Sequence, residues 1–315
     1  MKKISGDTLA RLMRAIQICN EKELPIAEVK KIVNDAIDKS DLYVEVEESF
    51  DFEKINQYGK SKRMSTFNIN SIAKLNSLLP WSSFAAVDEG SLLGAPFSTQ
   101  KRVNITKHPD SRINALHKLI GLGGLSVLEV GCFEGHHTID LAMLAREVWA
   151  FDGRVENVIK SLVRVWLAGI EDNVSLQLID LEKISLNQAL LNLGRTELFD
   201  LIHHRGVLYH LSDPIENLIQ CASVTKKYLY LHTQIANREQ INSVLEHKIG
   251  EYETYRYREP NIEFSPFSGI ADHAHWLSEQ SLLKLIQDLG FTNIQIINNI
   301  VEPNGKRIEL IASKL

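Results

Sequence analysis

The spacing of apolar residues changes character near residue 125. Before it, the pattern is helical. Leu9, Leu12, Ile16 and Cys19 share one helical face, and Ile26, Val29, Val33 and Ile37 make a second stripe that Pro25 can open. LYVEVEESF alternates briefly as a strand does. Ser71 to Leu79 predicts a third helix, stopped by Pro80. From Trp81 to about Asp110 no period is visible, and RINALHKLIGLGG then predicts a helix that ends among Gly121, Gly123 and Gly124. From Leu125 onward, short apolar runs alternate with helical stretches. SVLEVG, VWAFDG, VSLQLID, FDLIHH and KKYLYLHT predict five strands, with helices between successive pairs. Strands alternating with helices imply a parallel sheet with right-handed crossovers. Asp213-Pro214-Ile215-Glu216 marks one helix start by its cap, its proline and its third-position Glu. Tyr252 to Phe267 shows no clean period and is expected to be irregular. The helix SEQSLLKLIQDLG follows, and then two β-rich runs joined at Pro303-Asn304-Gly305, which predict a terminal antiparallel hairpin. The expected organisation is a helical region over 1–85, an irregular connection and helix over 86–124, and an α/β domain over 125–315.

In an open α/β sheet a ligand sits at the carboxyl ends of the strands, where the strand order reverses. Leu128 to Gly135, LEVGCFEG, is the first strand-to-helix turn and so the expected place. Gly131 and Gly135 permit a tight turn and a close approach to the backbone. Asp152 closes the second strand, 21 residues after Gly131, at a distance from which a carboxylate can accept hydrogen bonds from two ribose hydroxyls. A dinucleotide loop would read GxGxxG. Phe133 stands at its third position, and Glu129 precedes the first glycine; both disfavour a diphosphate, and Glu129 suits a cationic ligand.

On these residues the chain resembles the class I S-adenosylmethionine-dependent methyltransferases, in which an acidic strand end and a glycine-rich loop hold the cofactor. Glu129, Gly131, Cys132 and Gly135 match that loop with one departure, Phe133 for the middle glycine. The resemblance covers about Leu125 to Leu315. It implies a Rossmann-like, seven-stranded, mostly parallel sheet with a C-terminal antiparallel hairpin, beside the mainly helical N-terminal region. It implies S-adenosyl-L-methionine as cofactor, with Asp152 and Gly153 at the ribose and Asp180 and Leu181 at the adenine. His204, at the end of the fourth strand, is expected near the cofactor too. GVLYHLSDPIENL further resembles the transferases that carboxymethylate the tRNA wobble uridine.

Methyl transfer from a sulfonium is an in-line displacement, so the protein mainly positions the reactants. A hydroxyl acceptor benefits from a base, and His is the usual one near neutral pH. His203 and His204 alternate along a strand and face opposite ways. His210, in the loop beyond, is the first candidate base and His275 the second. His136 and His137 read as helix-start residues. DHAHW holds an HxH pair without two further ligands, so a metal is not expected. The aromatic run from Glu251 to Phe267 is expected to cover the acceptor.

Composition narrows the choice. With 315 residues, 44% hydrophobic, 24% charged and a net charge of −5, the chain has no general attraction to nucleic acid or an anionic membrane. Lys60, Lys62 and Arg63, with Lys101 and Arg102, are two short basic clusters that keep RNA open as an acceptor. Three widely spaced cysteines suggest a reducing, cytoplasmic setting. No apolar run is long enough to span a membrane, and the start makes a poor signal peptide. The expected activity is methyl transfer to a small-molecule or sugar-containing acceptor. An RNA-modifying transferase and a non-catalytic assembly protein are the alternatives, and a homodimer is possible.

Overall fold

The computed structural model describes residues 108–259, 267–302 and 305–314, with the short pieces 2–3, 44–45, 76, 79, 81–83, 85–86 and 92–93. The helices expected over residues 9–19 and 25–37 and the basic clusters lie outside the described residues, as does most of the helix expected over 71–79. Two short antiparallel pairings survive there, Lys2–Lys3 with Val44–Glu45 and Ala85–Ala86 with Leu92–Leu93.

The remaining elements, in chain order, are α1 (Ser111–Ile120), β1 (Ser126–Val130), α2 (His136–Leu144), β2 (Glu147–Asp152), α3 (Val155–Ala168), β3 (Val174–Leu178), α4 (Leu186–Asn192), β4 (Phe199–Arg205), α5 (Pro214–Ser223) and β5 (Thr225–Ile235). They continue with β6 (Ser243–His247), β7 (Gly250–Arg258), β8 (His273–Leu277), α6 (Glu279–Asp288), β9 (Asn293–Glu302) and β10 (Gly305–Ser313). A seven-stranded sheet runs in the order β9-β10-β5-β4-β1-β2-β3. β1, β4 and β5 pair in parallel, as do β2 and β3. β10 is antiparallel to both β5 and β9. The expected Rossmann-like sheet with its terminal hairpin is therefore present.

The chain divides into two compact units, one of residues 1–124 with 132–178, the other of 125–131 with 179–315. In the first, a buried polar cluster surrounds the loop residue Glu134. Its carboxylate meets Lys160 Nζ at 2.9 Å and Arg164 at 3.7 Å, and it accepts from the Ser82 N–H at 2.6 Å and from the Ser83 hydroxyl. Arg164 also lies over the Trp81 ring at 4.8 Å. Residues Trp81–Ser83 are thereby tied to the α3 helix through Glu134 and Arg164.

In the second unit, Leu128, Val130, Leu201, Ile202, Leu229 and Leu231 fill the core of three central strands. Asp213 caps α5 by accepting from the Glu216 N–H at 2.9 Å, with Pro214 at the first helical position, as its sequence requires. The segment expected to be irregular, Tyr252 onward, is instead β7 up to Arg258. It is the middle strand of a second sheet, β6-β7-β8. Its period of two was obscured because neither face is plainly apolar: Tyr252 and Thr254 are buried on one side, while Tyr255 and Tyr257 are half-buried on the other among exposed Glu and Arg.

Removing one partner of a buried ion pair costs about 3–5 kcal/mol, because the other charge keeps its burial without its counter-ion. Glu134→Ala is expected to destabilise the protein by that amount. Urea unfolding at neutral pH measures it, and a loss under about 1 kcal/mol, the range of a surface pair, would mean the cluster is not a structural hub.

Candidate functional site

The candidate cofactor loop takes the backbone its glycines foretell. Gly131 has φ 71° and Gly135 φ 79°. A Cβ on Gly131 would collide with the Val207 side chain, and one on Gly135 would press on the Ser161 backbone at 3.0 Å. Phe133 itself adopts φ 52°, the left-handed conformation in which glycine is at ease and a bulky side chain is strained. The departure from the glycine pattern is thus one of residue type; the backbone path is the glycine path. Phe133 donates its N–H to the Asp152 carboxylate at 3.0 Å, and the Cys132 N–H reaches the Phe151 carbonyl at 2.9 Å. The end of β2 therefore holds the loop in shape.

Asp152 gathers two more donors, the Arg154 N–H at 2.9 Å and the Asn157 amide at 3.0 Å. Burial raises its carboxyl above the usual range, and those three hydrogen bonds pull the other way. Gly153 follows it directly, half-buried.

In the other unit, Glu129, His203 and Tyr230 stand in register across β1, β4 and β5. The Glu129 carboxylate lies 3.8 Å from His203 Nδ1, and the His203 ring stacks on Tyr230 at 5.1 Å. His204 points the opposite way, as alternation requires. It is wholly buried, with Nε2 2.8 Å from Asn217 Oδ1 on α5. Burial holds its pKa down at about 4. That placement is a packing one, against the helix rather than along the face that carries Glu129. Asp180 accepts from the Glu182 N–H at 3.1 Å and pairs with Lys183 at 2.9 Å. Leu181 helps line a cavity of about 160 Å³ with Glu182, Ser212, Asp213 and Asn217.

The two candidate bases lie close in the same unit. His210 ends the single 3₁₀ turn Leu208–His210 after β4. Its Nδ1 is 2.8 Å from Glu259 Oε1, and its ring is 4.2 Å from that of Tyr209. His275 sits in β8, buried, with Nδ1 2.7 Å from the Ser212 carbonyl, and burial lowers its pKa. Its backbone N–H holds the Leu211 carbonyl at 3.0 Å, and Trp276 Nε1 holds the Tyr209 carbonyl at 2.8 Å. Strand β8 thus grips the loop that carries His210. Tyr257 stacks on Trp276 at 4.5 Å, and Tyr255 meets it edge-on at 5.4 Å. His273 turns to Asp272 at 2.6 Å, so the two histidines of DHAHW have different partners.

Sequence reasoning missed Glu134 and Glu259. Both are carboxylates in mostly polar strings, and nothing in the local pattern announces that each is buried. The one available signal for Glu134 was its place inside the loop itself.

A family model described as a methyltransferase domain matches residues 100–296, and the chain belongs to that family. No curated protein sequence matches the chain. Among solved structures, the N-terminal domain of EvdMO1 in the presence of S-adenosylhomocysteine and D-fucose superimposes with a TM-score of 0.62 at 22% identity, covering 81% of this chain and 97% of that one. The same domain with S-adenosylhomocysteine bound gives 0.62 and 22%, covering 78% and 96%. Against EvdMO1 as a whole the TM-score is 0.53 at 19% identity, covering 78% of this chain and 47% of that one, so the chain spans about half its length. These likenesses establish the fold.

The buried His204 generates a pH dependence. Its pKa is about 4 when folded against 6.5 for an ordinary histidine, so the neutral ring contributes stability above pH 6.5 that is lost as the pH falls toward 4. The full effect is about 3 kcal/mol, at 1.36 kcal/mol per pKa unit. Wild-type protein is expected to lose that much more stability than His204→Gln between pH 7 and pH 4, read by urea denaturation. Parallel stability curves would show that His204 does not titrate in that window.

Proposed function

We propose that the chain transfers the methyl group of S-adenosylmethionine to a small-molecule or sugar-containing acceptor. One observation carries the cofactor side: the Cys132–Gly135 loop follows a glycine-type path even through Phe133 and is pinned to Asp152. In this reading Glu129, Gly131, Cys132 and Gly135 hold the methionine part of the cofactor. Asp152 and Gly153 take the ribose, and Asp180 and Leu181 the adenine. His204 supports the cofactor from within the packing through Asn217. On the acceptor side, Tyr209, Tyr255, Tyr257 and Trp276 offer aromatic faces of the kind that bind sugar rings and planar groups. His210 is the base, and His275 the second candidate. The D-fucose in the EvdMO1 domain crystal is consistent with a sugar-type acceptor.

The methyl group leaves a sulfonium, so the neighbouring charge matters more than covalent chemistry. A carboxylate such as Glu129 at the strand end favours that cation. The buried thiols of Cys132 and Cys221, among the described residues, accord with a reducing, cytoplasmic location. Ile296, Ile297, Ile300 and Val301 on the outer strand β9 are exposed, an apolar edge that accords with a homodimer.

Asp152→Ala is expected to weaken S-adenosylhomocysteine binding roughly ten- to a hundred-fold, from about 1.5–3 kcal/mol for hydrogen bonds to a charged group. Isothermal calorimetry on the folded variant measures it. Wild-type affinity in the variant would remove Asp152 from the site, and no binding by the wild-type protein would overturn the reading as a whole.

A further inference from the structure

The residue that most changes the chemistry open to His210 is Glu259. It lies at the end of β7, 49 positions away in sequence, with its backbone N–H on the Asp272 carbonyl at 3.1 Å. Its side chain is 3% exposed and that of His210 20%. The carboxylate oxygen and the ring Nδ1 are 2.8 Å apart. The pair is also fixed from behind. A Cβ on Gly269 would stand 2.5 Å from the His210 carbonyl oxygen and 3.2 Å from Glu259 Oε1, so only glycine leaves room for both. The Trp276 and His275 hydrogen bonds to the Tyr209 and Leu211 carbonyls hold the backbone on either side of His210.

An ionised carboxylate only accepts hydrogen bonds. In the neutral ring, the proton must then sit on Nδ1, and Nε2 keeps its lone pair. We infer that Glu259 is a positioning residue that fixes His210 in the Nδ1–H tautomer, making Nε2 a base for a hydroxyl acceptor. This rests on the methyltransferase reading above and narrows its acceptor to an alcohol or phenol. An uncharged amine carries its own lone pair and has no need of a base before attack; a hydroxyl gains most when its proton is taken as the new bond forms. In the step, the acceptor oxygen forms a bond to the methyl carbon while the carbon–sulfur bond breaks. The electron pair of that bond stays on sulfur, giving the neutral thioether S-adenosylhomocysteine. The hydroxyl proton moves to His210 Nε2, the imidazolium is stabilised by Glu259, and the proton then passes to water.

Tyr257, whose ring stacks on Trp276, is one hydroxyl that could compete for the role. Burial, and then the charges of Glu259 and Tyr255, hold it above the usual tyrosine range, so it stays protonated near neutral pH. Its ring, stacked on Trp276, is a wall for the acceptor and not a base.

The test uses the full chain labelled with ¹⁵N at histidine. Long-range ¹⁵N–¹H correlation spectra report the tautomer of His210, assigned by loss of its signals in His210→Asn. The expected result is the Nδ1–H form in the wild type, a shift toward Nε2–H in Glu259→Ala, and retention of Nδ1–H in Glu259→Gln, whose amide oxygen can still accept. An Nε2–H ring in the wild type, or no change in a folded Glu259→Ala, overturns the assignment. Calorimetry with S-adenosylhomocysteine on the same samples separates the two proposals. Equal binding by all variants leaves the methyltransferase reading standing whichever way the tautomer falls, and absence of binding by every protein sinks that reading alone. Transfer of labelled methyl to a panel of monosaccharides, phenols and primary amines checks the acceptor class. Products on oxygen are expected, with turnover in Glu259→Ala reduced roughly 10²-fold. Products on nitrogen alone, or none, overturn the hydroxyl assignment.

Discussion

The site depends on one constraint of parallel sheets: two neighbouring parallel strands cannot be joined by a tight turn, so each connection must cross over through a helix. After β1 the chain builds outward through β2 and β3, and then returns to place β4 on the other side of β1. The crossovers that leave β1 and β4 run in opposite directions along the sheet. In an open α/β sheet, the point where two such crossovers diverge is where a ligand finds room. Glu129 and Gly131 at the end of β1, and His210 in the turn after β4, follow from what stands at the carboxyl ends of these two strands. The carboxylate of Glu129 and the rings of His203 and Tyr230 are in register there because three parallel strands are aligned without offset at these positions.

Local rules governed what could be read from sequence. Gly131 and Gly135 were recognisable because a turn at positive φ leaves glycine as its signature. The Asp213 cap and its proline were recognisable because capping is decided within four residues. The parallel sheet and terminal hairpin followed from period and turn chemistry. The second sheet, β6 to β8, did not. Its middle strand puts Glu and Arg on water and tyrosines against Trp276, so the alternation is aromatic against charged rather than apolar against polar. Glu134 and Glu259 were invisible for another reason. Each is defined by a partner far along the chain, Ser82 and Ser83 in one case and His210 in the other, and burial of a carboxylate is not a local property.

Phe133 shows how the two kinds of information combine. The sequence marks it as the wrong residue for a glycine loop, and disfavours a diphosphate there. The backbone nevertheless takes the glycine conformation, at a strain of order 1–2 kcal/mol for a residue with a Cβ. Strain of that kind persists only where the surroundings over-determine the conformation. Here they do: the Phe133 N–H is held by Asp152, its carbonyl by the Ser161 hydroxyl at 2.9 Å, and its neighbour Glu134 by two cations and two serines. The buried carboxylate after Phe133 is therefore more than a salt bridge; it is part of what keeps the loop on a path its own side chain resists.

The histidines of β4 and its following loop divide the chemistry by direction. His204 faces the helix, is buried, and stays neutral down to a pH of about 4, so it lends shape and no proton traffic near neutrality. His203 faces the row of Glu129 and Tyr230, one position along the strand and on the opposite face. His210 lies past the strand, where backbone alternation no longer fixes its direction, and its orientation comes instead from Glu259, Gly269 and the grip of β8. A strand can offer a side chain only one of two faces. A loop residue braced by a second sheet can be aimed anywhere that sheet allows, and such a residue can meet an acceptor whose position is set by a separate aromatic wall. That explains why the aim of His210, the base proposed above, is legible only from residues 49 positions or more away.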